Sequence, residues 1–315
     1  MRLVFMGTPD FAVPVLEALL TARHQVAAVY TRPDSPAGRG QRLAPPPVKG
    51  YAQERGLPVV QPDSLRRRPA IEELRAFAPE VIVVAAYGRI LPPDVLAIPP
   101  KGVLNLHPSL LPKYRGPSPV ATAILDGCST TGVTLMLLDK GMDTGPILAQ
   151  REAAIAPDEA AAALTARLLR IGADLLVEAL PAWAEGRITP RSQEQGLATV
   201  TRLYAKEDGE LDWSLPAERL GRQLRAFDPW PGCYTRWEGK ALKVLRGAAL
   251  AVADPVDAAP GQVLRIAHAG QEAVCVATGD GLLRLDVVQL EGKRSQAAAE
   301  FLRGYPRFLG ARLPS

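Results

Sequence analysis

The chain has 315 residues, of which 47% are hydrophobic and 22% charged, with a formal net charge of +4. That length predicts two domains with cores large enough to fold without staples, and the composition excludes a disordered chain. The positive excess permits an anionic partner without requiring one, and it is spread out: residues 1–205 carry 22 basic and 19 acidic side chains, residues 206–315 carry 15 and 14.

Residues 3–6 read as a buried strand, 7–10 as its turn, 11–22 as a helix and 25–31 as a second strand. A β-α-β unit that starts at once predicts a Rossmann-like, doubly wound parallel sheet. Further strands are expected at 59–60, 81–86, 103–107 and 133–138, and helices near 48–56, 70–77, 117–126 and 158–182. The first turn, Gly7-Thr8-Pro9-Asp10, holds one glycine and a proline, so the fingerprint of a bound NAD is missing. Residues 187–205 read as a linker, which divides the chain into domains at 1–186 and 206–315. In the second domain a helix at 215–227 precedes short alternating runs at 233–237, 242–248, 261–267, 273–278 and 282–290. That spacing predicts a small antiparallel β-barrel, OB-like in kind. A helix capped by Ser295 is expected over 295–302.

The three cysteines, Cys128, Cys233 and Cys275, are far apart, which argues against a disulfide framework or a zinc site. His24, His107 and His268 form no metal-binding spacing. With no apolar run of membrane-span length and no cleavage region behind the first strand, no membrane contact is expected, and the setting expected is cytoplasmic.

One segment stands out. On the strand at 103–107, Asn105 and His107 are two apart and share a face. Pro108 then ends the strand where open α/β sheets bind ligands. Asp143 follows 36 residues after His107, in Asp139-Lys140-Gly141-Met142-Asp143-Thr144-Gly145. An amide donor, an imidazole and a carboxylate can stabilise a tetrahedral oxyanion and move protons; the sequence does not divide those roles among the three. Lys113 and Arg115, just beyond, could meet carboxylates or a phosphate, or form a solvated basic loop. Residues 31–49 carry four basic side chains and one acidic one, and are too rich in Pro and Gly for a helix or a strand. They read as a long flexible loop able to neutralise phosphates.

The run from Asn105 to Gly116, with Asp143-Thr144-Gly145 behind it, resembles the 10-formyltetrahydrofolate-dependent formyltransferases. The resemblance implies catalytic Asn105, His107 and Asp143, and a folate-contacting loop of Ser109, Leu110, Leu111 and Pro112. It makes 10-formyltetrahydrofolate a co-substrate and calls for no metal. The 31–49 insertion resembles that of family members acting on initiator methionyl-tRNA, with Arg39 as the first candidate for tRNA contact and Arg42 and Lys49 in support. Leu211-Asp212-Trp213, the run Arg225–Gly232 and the run Ala277–Gly281 resemble the family's C-terminal barrel. A monomer is expected by the same resemblance. A family member acting on an amino-sugar nucleotide could share the three catalytic residues but has no need of the insertion.

Overall fold

The opening apolar run is buried on both faces, with Leu3, Val4, Phe5 and Met6 all at 0% exposure, as befits a central strand of a sheet covered on each side. It is β1 (Arg2–Gly7) of a computed structural model that describes residues 1–37, 42–250, 257–268 and 270–315. After it come α1 (Val13–Thr21), β2 (Gln25–Tyr30), β3 (Ser35–Ala37), β4 (Arg42–Ala44), α2 (Pro47–Glu54) and β5 (Val59–Val60). Then follow α3 (Arg68–Ala76), β6 (Val81–Ala85), α4 (Pro93–Leu96), β7 (Val103–His107), α5 (Pro119–Leu125), β8 (Thr130–Leu137), β9 (Ile147–Ala154) and α6 (Ala161–Ala184).

The main sheet has the order β5-β2-β1-β6-β7-β8-β9. The first five of these strands pair in parallel, while β8 and β9 join antiparallel at one edge. The Rossmann-like sheet expected from the sequence is therefore present, with an antiparallel extension. Strand β9 has no clear sequence signal, because Gln150, Arg151 and Glu152 interrupt it and only Ile147 and Ala153 are buried. Side chains alternate cleanly along β7: Leu104 and Leu106 enter the core on the α1 and α6 side, and Val103 enters the core on the α3 side. Gly172 lets α6 lie close to the sheet, since a Cβ there would stand 2.9 Å from Val133 and 3.3 Å from Leu106.

The described residues of the 31–49 segment do not form a structureless loop. Ser35, Pro36 and Ala37 pair antiparallel with Ala44, Leu43 and Arg42, and α2 begins at Pro47. A two-stranded ribbon with no further strand on either edge among the described residues tolerates the missing N–H of Pro36, and proline suits the first position of a helix. Composition alone conceals both elements.

Two compact units divide the chain: one gathers residues 1–119, 130–155 and 164–202, the other 120–129, 156–163 and 203–315. The second contains α7 (Ala217–Ala226), β10 (Cys233–Trp237), β11 (Lys240–Leu250), β12 (Val263–His268), β13 (Gln271–Ala277), β14 (Leu282–Leu290), β15 (Gln296–Ala297) and α8 (Ala298–Gly304). Its six-stranded antiparallel sheet, in the order β10-β11-β14-β13-β12 with β15 on β14, is of the small-barrel kind expected. Arg219 and Arg225 of α7 donate to the carbonyls of Leu125 and Glu159, which ties the short inserted segments to this unit. Trp237 is core, with ring centroids of Phe301, Tyr305 and Phe308 5.6, 5.6 and 5.2 Å away. The expected Ser295 cap is corrected: Gln296 and Ala297 pair with Val288 and Val287, which delays the helix to Ala298 and leaves it without a side-chain cap.

Candidate active site

The site grows from the end of β7. In the parallel register Asn105 lies beside Val84 of β6, so His107 reaches the carboxyl edge of the sheet together with Gly7, Tyr30 and Ala85. Val103, Asn105 and His107 share one face, and successive residues on a face stand roughly 6.6 Å apart. The Asn105 side chain is half-buried and makes no hydrogen bond to any described residue. His107 is 4% exposed. Its Nε2 lies 2.9 Å from the Tyr114 carbonyl, and a carbonyl only accepts, so Nε2 carries a proton. Nδ1 then faces Asp143 Oδ2 at 3.6 Å, just beyond the usual hydrogen-bond range.

Asp143 comes from the loop between β8 and β9. Its φ of +54° is in the left-handed region, which costs a side-chain-bearing residue roughly 1 kcal/mol. Several bonds hold it there. Oδ2 accepts the Gly116 N–H at 2.8 Å. Asp139 Oδ1 accepts from the Gly141 amide at 2.9 Å and the Thr144 hydroxyl at 2.7 Å. Leu137 donates to the Pro146 carbonyl at 2.9 Å. Gly145 admits no side chain, since a Cβ would stand 1.9 Å from the Leu137 carbonyl oxygen. Asp143 Oδ1 has no partner among the described residues. The site thus presents a free amide, an imidazole edge and a free carboxylate oxygen.

The neighbouring loop is locked from inside. Ser109, at 0% exposure, donates its hydroxyl to the Lys113 carbonyl at 2.7 Å. Thr134 donates to the Ser109 carbonyl at 2.7 Å, and Gln150 to that of Leu111 at 2.9 Å. Leu111 packs on Met136 and Ile147, Leu110 lies over Gly132, and Pro112 is half-buried. Lys113 is exposed, whereas Arg115 is 5% exposed and turns inward. Its guanidinium is held by Gln193 Oε1 at 2.8 and 3.0 Å and by Gln195 Oε1 at 2.9 Å.

Gln193, Thr199 and Thr201 support the site from within the segment that the sequence marks only as a linker. Arg115 exchanges backbone hydrogen bonds with Thr199 and Thr201, and the Tyr114 amide donates to the Thr199 hydroxyl at 2.8 Å. Nothing in their local sequence marks them, because their partners are about 80 residues away.

Of the residues expected to meet nucleic acid, Arg39 lies outside the described residues, and Arg42 is placed by its backbone in β4. Lys49 grips both oxygens of Asp34 at 2.8 Å, while Gln61 donates to Asp34 at 2.9 Å and to the Arg32 carbonyl at 2.7 Å. Hydrogen bonds from Lys49 and Gln61 hold the Asp34 carboxyl below the usual carboxylate range. Burial pushes the Cys233 thiol up to about 12 and that of Cys275 to about 11. Among the described residues no group of His, Cys, Asp and Glu is placed to hold a metal, and no helix is long and apolar enough to cross a membrane.

Comparison with known proteins bears on the whole chain. The family model described as formyl transferase matches residues 1–180, and the model of its C-terminal domain matches residues 204–306. A methionyl-tRNA formyltransferase of Chloroflexus aurantiacus is 53% identical over 304 residues, covering 96% of this chain and 97% of that one. The methionyl-tRNA formyltransferase of Thermus thermophilus is 50% identical over 313 residues, covering 99% of each. Among solved structures, HypX from Aquifex aeolicus in complex with tetrahydrofolic acid superposes with a TM-score of 0.66 at 20% identity, over 98% of this chain and 48% of that one. A methionyl-tRNA formyltransferase from Clostridium thermocellum gives 0.56 at 17% identity, over 79% and 93%. At such identities the superpositions speak for the fold alone; the family rests on the sequence matches. Both sequence relatives match this chain over nearly its full length, and the chain belongs to the formyl transferase family.

Proposed function

We propose that this protein transfers the formyl group of 10-formyltetrahydrofolate to the α-amino group of methionine on initiator tRNA. The observation that carries the chemistry is the pairing of a hydrogen-bond-free Asn105 amide with the His107–Asp143 pair at the carboxyl edge of the sheet. The amine lone pair adds to the formyl carbon and forms a tetrahedral oxyanion. Collapse breaks the bond from carbon to the folate nitrogen, one proton leaves the attacking nitrogen, and one arrives on the folate nitrogen. The Asn105 amide donates to the oxyanion, a contribution worth on the order of 10²–10³ in turnover in comparable sites. His107 supplies or holds a proton at Nδ1, and Asp143 stabilises the imidazolium or receives a proton through water.

The Ser109-Leu110-Leu111-Pro112 loop forms a fixed wall for the donor; its inward hydrogen bonds support that role. On the acceptor side, Arg39 and Arg42 are the residues assigned to the tRNA phosphates, and Lys49, bound to Asp34, steadies the base of their segment. The full-length likeness to methionyl-tRNA formyltransferases supports this acceptor; the proposal extends to a cytoplasmic setting and a monomer. Labelled formyl-folate offered with methionyl-tRNA and with an amino-sugar nucleotide in parallel tests the reading. Label on the aminoacyl-tRNA alone supports it, and label on the sugar nucleotide overturns it. A solution mass near 33.7 kDa supports the monomer, and twice that mass opposes it.

A further inference from the structure

Residues 191–201 behave as a strap across the active site. Arg191 exchanges both backbone hydrogen bonds with Ile147, at 2.8 and 2.9 Å, and Thr199 and Thr201 do the same for Arg115. Between these anchors Gln193, 7% exposed, uses its whole amide. Nε2 donates to the carbonyls of Asp143 at 2.8 Å and Gly145 at 2.7 Å. Oε1 accepts from Nε and Nη2 of Arg115 at 3.0 and 2.8 Å. Two donors and two lone pairs are all that a glutamine side chain has.

These contacts close a ring. His107 is held by the Tyr114 carbonyl, Arg115 is the next residue, and Gly116 binds the Asp143 carboxylate. Gln193 joins Arg115 to the backbone of Asp143 on the other side. We infer that Gln193 is a positioning residue: it sets the gap between the Tyr114–Gly116 turn and the Asp143 loop, and so the alignment of Asp143 with His107. The inference rests on the catalytic reading of that pair. At 3.6 Å the two groups sit at the edge of hydrogen-bonding range, where a small displacement decides whether a proton can pass. A misplacement of about 1 Å can cost roughly a hundredfold in rate. Asp143 also holds a left-handed backbone, and it is the Gln193 amide that pins its carbonyl.

The test is a mutant cycle. Gln193→Glu keeps the shape and gains an ion pair with Arg115, so it folds, but it loses both N–H donors and sets a carboxylate against two carbonyls. Gln193→Met removes both halves at similar volume. Each variant is expected to lower kcat about ten- to a hundredfold, with KM for folate and for methionyl-tRNA within about threefold of the parent. Because Gln193 acts through Asp143, Gln193→Glu should cost nothing further once Asp143→Asn is present, the non-additivity expected of residues acting as a unit. Parent-like turnover of both Gln193 variants overturns the inference, as do multiplicative losses in the double variant. If Asp143→Asn itself retains parental turnover, the catalytic reading fails first and takes this one with it. If only the Gln193 variants are normal, this inference alone fails.

Discussion

Asp143→Asn isolates the charge from everything else the residue does. The Asn carbonyl can still accept the Gly116 N–H that Oδ2 now takes at 2.8 Å, and asparagine tolerates a φ of +54° better than aspartate does. Folding should therefore be unchanged, with an equal or slightly higher Tm. Only the negative charge facing His107 is lost. At 3.6 Å, in an effective dielectric of about 20, an imidazolium–carboxylate pair attracts by about 5 kcal/mol. Part of that attraction is present in the resting enzyme, and the part gained as the imidazolium forms lowers the barrier. If about half is gained in the transition state, kcat/KM falls by about 10² at 1.36 kcal/mol per decade. Loss of proton handling through Asp143 carries the expected total to about 10²–10³. Single-turnover formylation of methionyl-tRNA, read beside a thermal melt, checks this. A loss under about fivefold, or one matched by a clear fall in Tm, refutes a catalytic charge at this position.

Asn105→Ala should lower turnover by about 10²–10³ and leave Tm unchanged, because the amide makes no hydrogen bond to a described residue; circular dichroism melts with initial rates check both halves. Asp34→Ala releases Lys49 and Gln61 together, so KM for methionyl-tRNA should rise about three- to tenfold with little change for the folate, as steady-state titration of each substrate would show. The lowered pKa keeps this carboxylate charged across the neutral range. Its contribution to stability is thus present above the unfolded value near 3.9 and lost only as pH falls below it. Cys233 and Cys275 should resist alkylation at pH 8, since thiol pKa values of about 12 and about 11 leave about one thiolate in a thousand or fewer; peptide mapping after iodoacetamide would expose either one if it reacts.

Much of the site could be read from the chain because it obeys local rules. The two-residue period placed Asn105 and His107 on one face, and Pro108 marked the strand end. Asp143 could be grouped with them by residue type, but its contact with His107 could not be read from spacing, because 36 residues and an antiparallel strand separate the two. Strand β9 was hidden by its own charges, and the β3–β4 ribbon by its prolines and glycines. Gln193 was invisible for a deeper reason. A polar residue in a stretch without periodicity gives no hint that its amide will be consumed by partners 48, 50 and 78 residues away.

The same contrast explains how the chain can keep a strained carboxylate beside His107, where the proposed chemistry places it. Glycine or asparagine would suit the backbone of residue 143 better than aspartate, yet only aspartate brings a charge to His107. The conformational cost, roughly 1 kcal/mol, is small beside the hydrogen bonds that enforce it. Asp139 ties down Gly141 and Thr144, Gly116 holds the carboxylate, and Gln193 holds the carbonyls on either side of Thr144. Each bond contributes about 1 kcal/mol, so the loop need not be stable alone. The network also divides the work. Strand β7 sets the amide and the imidazole by covalent spacing, which only a change of register could disturb. The carboxylate is set by contacts among three distant segments, so its position is the adjustable part of the site. Substitutions in the 191–201 strap should therefore alter rate more readily than fold, whereas those at the core positions Leu104 and Leu106 of β7 should alter both.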